Sequence, residues 1–206
     1  MRHVIKSLPG GRAGKSAAIG MAVLAAATFS PVAWSDAVAQ TPPAPIPATV
    51  GEPTTKGIKA PGVRRIMPKH VSNKCLTVHG AGGRGAKLNQ YTCVGRGNQK
   101  WELVPVSAPL PTYTLRPQHR AGLCLSVPGG KYKKGVQPVV WSCNRAQDQM
   151  FWITCGGKGN TKCEIRPYSR PGRGLCLSIR GGWKSNNAPA ILWRCSKAKD
   201  QKFDIR

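Results

Sequence analysis

The sequence predicts an all-β chain arranged as a closed threefold structure of about twelve strands, and three observations carry that expectation. The first is an internal repeat. Cys75, Cys124 and Cys176 are each followed by Leu, then Thr or Ser, then Val or Ile, and each is trailed 18 or 19 residues later by Cys93, Cys143 or Cys195. Six residues beyond each second cysteine lies Gln99, Gln149 or Gln201, and two further on an aromatic, Trp101, Phe151 or Phe203. A period of about 50 residues, seen three times, marks a repeat architecture. The second observation is the punctuation. Short apolar runs such as CLTV, WELVPV, LCLSV, FWITC and ILWRC are separated by glycine- or proline-rich breaks, the pattern of short strands. No stretch of the mature chain carries apolar residues at helical spacing over three turns, so no substantial helix is expected. The third is a burial argument. One unit of roughly 47 residues cannot cover its own apolar face, and closing three units on one another removes the exposed sheet edges.

In chain order, Met1 to Ser16 carries Arg2, Lys6, Arg12 and Lys15 without an acid and leads into the apolar run Ala17 to Phe29. That is the pattern of a secretory signal, with Ala37 and Ala39 placing cleavage before Gln40. As a helix the run would span about 20 Å, short of a hydrocarbon core, so residues 1–39 are read as a signal peptide and the protein as secreted. Loss of those residues lowers the formal charge from +25 to +22. A protein so basic attracts polyanions at long range: nucleic acid, anionic polysaccharide, teichoic-type polymers or anionic lipid surfaces. The same charge also keeps a secreted protein soluble.

Residues 40–64 are proline-rich and read as a semi-extended linker. The folded part is expected over 65–206, with repeats 65–107, 108–158 and 159–206. All eight cysteines fall between residues 75 and 195, an even number in a chain expected to be exported, which points to disulfides. If the three copies fold alike, the equivalent pairs are Cys75 with Cys93, Cys124 with Cys143 and Cys176 with Cys195. Cys155 and Cys163 are then left to close a small loop. Matching the repeats puts Pro105 and Tyr113 at the corresponding positions of the first junction, so this fourth bridge would staple a hairpin that another junction forms without one.

Taken together, the Gln-x-aromatic motifs, the Cys-Leu-x-Val starts and the within-repeat cysteine pairs resemble the ricin-type β-trefoil lectin domain over about residues 65–206. The resemblance implies a twelve-stranded β-trefoil whose three lobes can each hold one shallow sugar site. In that family a working lobe has an Asp two residues after the first cysteine and an aromatic platform two before the second. A polar residue often stands two before the platform, and an Asn adjoins the Gln. A sugar ring stacks its C–H face on an aromatic side chain and satisfies its hydroxyl rim with planar acceptors and donors.

Carried onto this chain, the first lobe offers Thr77, Asn89, Tyr91, Asn98 and Gln99. The second offers Ser126, Val139, Trp141, Asp148 and Gln149, and the third Ser178, Ile191, Trp193, Asp200 and Gln201. All three platforms are kept, and all three acids after the first cysteine are replaced by Thr or Ser. A hydroxyl gives one neutral contact where a carboxylate gives two charge-assisted ones, a loss of roughly 2–3 kcal/mol per site if nothing compensates. Two readings follow. Pockets stripped of acid suit an anionic ligand, or the lobes have lost sugar binding and keep only their structural parts. The glutamines and the aromatics that follow them read more readily as core and turn-fixing residues than as ligand contacts.

Basic residues gather after each Cys-Leu-x-Val strand: Arg84 and Lys87, then Lys131, Lys133 and Lys134, then Arg180 and Lys184. The resemblance implies that these loops flank the three pockets. Lys131, Lys133 and Lys134 form the best polyanion patch, with a solvated charged loop as the plainer alternative. Three scattered histidines, His70, His79 and His119, and few acids leave no catalytic constellation and no metal site, and no cofactor is expected. The leading expectation is a secreted, monomeric, non-catalytic lectin-like module that binds a neutral or anionic polysaccharide or glycoconjugate. Its rival is a cationic trefoil scaffold that binds a protein, lipid or nucleic-acid partner without sugar specificity.

Overall fold

The computed structural model describes residues 57–58, 62–106, 110–169, 172 and 174–206. The expected signal peptide and most of the linker lie outside the described residues. Thirteen strands follow in order: β1 (Gly62–Arg64), β2 (Ile66–Pro68), β3 (Lys74–Val78), β4 (Leu88–Thr92), β5 (Trp101–Val106), β6 (Thr112–Pro117), β7 (Leu123–Ser126), β8 (Val139–Ser142), β9 (Phe151–Cys155), β10 (Cys163–Pro167), β11 (Leu175–Ile179), β12 (Ala190–Arg194) and β13 (Phe203–Ile205). Among the described residues the helical elements are 3₁₀ turns of three residues.

Seven strands form one sheet in the order β1-β5-β6-β9-β10-β13-β2, and the rest form three hairpins, β3–β4, β7–β8 and β11–β12. The sheet closes through its first segment. β1 pairs with β5 and β2 with β13, so one bent stretch of chain joins the two ends of the sheet into a ring. At the bend, the Arg65 N–H donates to the Arg206 carbonyl at 2.6 Å and the Arg206 N–H returns to the Arg65 carbonyl at 3.0 Å. Thirteen strands in place of twelve therefore reflect one strand broken at Arg65. Closure satisfies the backbone groups that an open edge would expose.

The linker expectation needs correction at its end. Gly62–Arg64 belongs to the ring, and Ile58 is buried, its N–H donating to Tyr113 Oη at 3.0 Å.

The repeat explains the core. Trp101, Phe151 and Phe203 each begin a ring strand and are fully buried, as are Leu76, Leu125 and Leu177 of the hairpins. Each such side chain contributes on the order of 1.5–3 kcal/mol. Trp101 has a polar atom to satisfy, and its Nε1–H donates to the Leu76 carbonyl at 3.0 Å. Phenylalanine at the two equivalent positions needs no such acceptor. The four disulfides join Cys75 to Cys93, Cys124 to Cys143, Cys155 to Cys163 and Cys176 to Cys195, as expected from the repeat. Cys163 lies opposite Cys155 in the β9–β10 ladder just as Pro105 lies opposite Tyr113 in β5–β6, so the fourth bridge staples a register that the first junction holds unaided.

Candidate functional site

In each lobe the second hairpin strand carries the aromatic platform, and the 3₁₀ turn that follows presents a polar side chain towards it. These turns are Gly97–Gln99, Gln147–Gln149 and Lys199–Gln201. The closing glutamine holds each turn. Gln99 Oε1 accepts the Val94 N–H at 2.8 Å while its Nε2 donates to the Thr92 carbonyl at 2.8 Å. Gln149 does the same with Asn144 at 2.9 Å and Ser142 at 2.8 Å, and Gln201 with Ser196 at 2.7 Å and Arg194 at 2.9 Å. All three are 1% exposed. Their carboxamides are engaged chiefly with backbone, the turn-fixing role the sequence favoured, while Gln99 and Gln201 also line the recesses of the first and third lobes.

The remaining expected residues converge as three equivalent recesses. The first, of about 360 Å³, is lined by Thr77, Asn89, Tyr91 and Asn98 among others. The second, of about 480 Å³, brings together Ser126, Val139, Trp141 and Asp148. The third, of about 640 Å³, collects Ser178, Ile191, Trp193 and Asp200. Tyr91, Trp141 and Trp193 are 39%, 42% and 45% exposed, unusual for rings of this size and suited to stacking against a ligand.

The pockets are not all without acid, which corrects the expectation drawn from Thr77, Ser126 and Ser178. Ser126 Oγ donates to Asp148 Oδ2 at 2.5 Å, and Ser178 Oγ to Asp200 Oδ2 at 2.6 Å. In the second and third lobes a carboxylate thus enters from the 3₁₀ turn and meets the hydroxyl that stands where the family's Asp would be. Acid and hydrogen-bonding partner have exchanged sides of the pocket. The Asp148 charge also reaches Tyr132: burial raises this phenol above its ordinary value of 10.0, a hydrogen bond from Ser169 opposes the rise, and Asp148 adds to it.

The first lobe is built differently. Thr77 Oγ1 donates back to the Cys75 carbonyl at 2.8 Å, and Asn98 Nδ2 to the Val78 carbonyl at 2.9 Å. Asn89, 3% exposed, places its Nδ2 at 2.9 Å from His79 Nδ1 and 3.0 Å from Asn187 Oδ1.

Each recess is completed from a neighbouring lobe. Gly85, Gly135 and Asn187 adopt φ of 84°, 83° and 64°. Their N–H groups donate to Val140 at 2.8 Å, Leu192 at 2.8 Å and Gln90 at 2.9 Å, each on the platform strand of another lobe. The positive φ explains the glycines and the asparagine. The residue before each reaches the neighbouring platform. The Arg84 guanidinium lies 4.4 Å from the Trp141 ring centroid and Lys134 Nζ 5.7 Å from that of Trp193, whereas Asn186 Oδ1 accepts from the Thr92 N–H at 2.9 Å beside Tyr91. The basic loops were expected to flank the pockets, and Arg84 and Lys134 do so at the platform of the next lobe. The expected lysine patch accordingly divides, with Lys131 and Lys133 exposed on the loop and Lys134 over Trp193. The contributions of Gly85, Gly135 and Asn187 were missed. Their common place ten or eleven residues after the first cysteine is a signal for a shared backbone conformation, but not for the neighbour it serves.

Comparison with known proteins agrees with this geometry. A family model of the ricin-type β-trefoil lectin domain matches residues 59–151 and again 111–206. No match was found among curated proteins. Among solved structures, a designed threefold-symmetric protein, ThreeFoil, superposes with a TM-score of 0.61 at 25% identity, covering 70% of this chain and 97% of that one. The Macrolepiota procera ricin B-like lectin in complex with lactose gives 0.55 at 17% identity, over 72% of this chain and 96% of the lectin. An exo-β-1,3-galactanase from Clostridium thermocellum gives 0.60 at 20% identity over 72% of this chain, which corresponds to 30% of the enzyme's chain. The structural likenesses establish the β-trefoil fold, and the family match spans the whole folded region: the chain belongs to the ricin-type β-trefoil lectin family.

Proposed function

We propose that this protein is a secreted, non-catalytic carbohydrate-binding module that holds polysaccharide at shallow sites in its lobes. The observation that carries the reading is the pairing, in equivalent recesses, of an exposed platform with a hydrogen-bonded Ser–Asp couple: Trp141 with Ser126 and Asp148, Trp193 with Ser178 and Asp200. An ionised carboxylate can accept from two adjacent hydroxyls while the indole covers the C–H face of the same ring. The familiar lobe has its acid on the opposite side, so the sugar is gripped in a different orientation. Individually weak sites gain avidity when one polymer reaches several of them.

The test is binding of the full chain to a panel of neutral and acidic glycans at physiological and at high salt, with free sugar as competitor. Trp141→Ala and Trp193→Ala are each expected to weaken binding tenfold or more while the domain stays folded. Binding that resists salt and yields to free sugar supports the module. Binding to every polyanion alike, lost at high salt and indifferent to the tryptophan variants, would replace it with a cationic scaffold.

A further inference from the structure

The three recesses share one plan but carry different charge. Five residues beyond the second cysteine the second and third lobes present Asp148 and Asp200, whereas the first presents Asn98. Three residues beyond that cysteine they carry Ala146 and Ala198, whereas the first carries Arg96; all three occupy the position that enters the 3₁₀ turn. At these two turn positions the first recess carries a positive charge and lacks the negative one of its sisters, and both residues belong to its lining. That lining includes Arg96, His79, Asn89, Tyr91 and Asn98 and contains neither Asp nor Glu. Arg96 is exposed at its rim. His79 Nδ1 lies 2.9 Å from Asn89 Nδ2, which ties the imidazole to the recess. In the second recess the nearby cation, Arg84, lies over the indole ring; in the third, Lys134 lies over the indole and Arg180 also lines the recess, and an anion in either would meet the Asp148 or Asp200 carboxylate.

We propose that the first-lobe recess takes an acidic sugar residue, one bearing a carboxylate or a sulfate, while the second and third take neutral residues through Asp148 and Asp200. The proposal rests on the lectin reading above and adds a division of labour to it. The planar guanidinium of Arg96 matches the paired oxygens of either anionic group, and Tyr91 supplies the stacking face. The ligand in this reading is a polymer that carries both kinds of residue.

The test is calorimetric titration of the full chain, at fixed ionic strength, with an oligogalacturonide, a sulfated galactan oligosaccharide and a neutral galactan oligosaccharide. Arg96→Ala and Asn98→Asp, which restore the sister-lobe pattern, are each expected to lower affinity for the acidic probes at least tenfold and to leave the neutral probe unchanged. The Trp141→Ala/Trp193→Ala double variant is expected to do the reverse. Arg96 lies on the exposed rim, so its alanine variant remains informative even if Asn98→Asp disturbs the turn. Whichever acidic probe responds identifies the anionic group. The division of labour fails if neutral binding is intact but the acidic probes do not bind. It also fails if their binding ignores Arg96→Ala and Asn98→Asp yet disappears on replacing Lys131 and Lys133. Absence of binding to all three probes would overturn the lectin reading with it.

Discussion

The guanidinium of Arg84, in the first lobe, stands 4.4 Å from the ring centroid of Trp141, the platform of the second. A cation over an exposed indole is worth about 0.5–1 kcal/mol and restrains the ring, so one lobe helps to set the site of the next. A double-mutant cycle of Arg84→Ala and Trp141→Ala, read by denaturant unfolding, is expected to show a coupling of about that size. Arg84→Ala with Tyr91→Ala, the platform of its own lobe, is expected to show none. Coupling to Tyr91 instead would mean that the loop serves its own pocket in solution.

The exchange of Ser and Asp across the third recess makes a second prediction. Ser178 Oγ and Asp200 Oδ2 are 2.6 Å apart, so the carboxylate can be moved to the other side of the same contact. Asp200→Asn is expected to weaken neutral-sugar binding at this lobe by about tenfold to a hundredfold, the loss of charge-assisted bonds. Ser178→Asp alone sets two carboxylates against each other and is expected both to lower stability and to impair binding. The Ser178→Asp/Asp200→Asn double variant returns to one acid with an amide partner, the familiar arrangement, and is expected to recover binding with altered sugar preference. A double variant no better than Asp200→Asn, measured by titration with the same sugars, would show that the acid works only from the 3₁₀ turn.

How much of this was legible in the sequence depended on range. Cysteine pairs, buried Trp101, Phe151 and Phe203, and the platforms repeat at fixed offsets within a unit, so three copies made them readable. The Ser126–Asp148 and Ser178–Asp200 contacts join positions 22 residues apart, so both members of each couple were legible as site candidates but their pairing was not until the turn brought them together. The loop around Arg84 was harder still, because its partner belongs to another repeat and no offset within one unit encodes it. Gly62–Arg64 was hidden for a different reason. Three residues beside prolines show no alternation, and only pairing with β5 makes them a strand.

Glu164 carries the clearest pH dependence. Burial alone would raise its pKa, but hydrogen bonds and charge from Lys202 and Arg166 outweigh burial and hold the carboxyl below its ordinary 4.5. A depressed folded-state pKa means stability that is present above the unfolded value and is lost as pH falls through the folded one. Glu164→Gln is therefore expected to be less stable than the parent near neutral pH. The gap in urea midpoint should narrow progressively below about pH 4.5. A gap that stays constant down to about pH 3 would show that the variant acts through packing and not through charge.

The bridge between Cys155 and Cys163 sits on a hairpin whose counterpart at Pro105 and Tyr113 pairs in the same register without one. Register there is set by the β9–β10 ladder, so a Cys155→Ala/Cys163→Ala variant is expected to reach the native fold. Its closed loop is short, and chain-entropy reasoning puts the stability lost at about 2.5 kcal/mol, against about 3.2 kcal/mol for the longer loop between Cys176 and Cys195. The two losses should also differ in kind. Cys195 lies two residues beyond Trp193, just past the end of the strand that presents the third platform, so Cys176→Ala/Cys195→Ala is expected to weaken sugar binding as well as stability. Chemical unfolding and glycan titration of both variants separate these effects. A Cys155→Ala/Cys163→Ala protein that loses binding at the third lobe, or fails to fold at all, would show that this staple organises the trefoil and does not merely reinforce one of its hairpins.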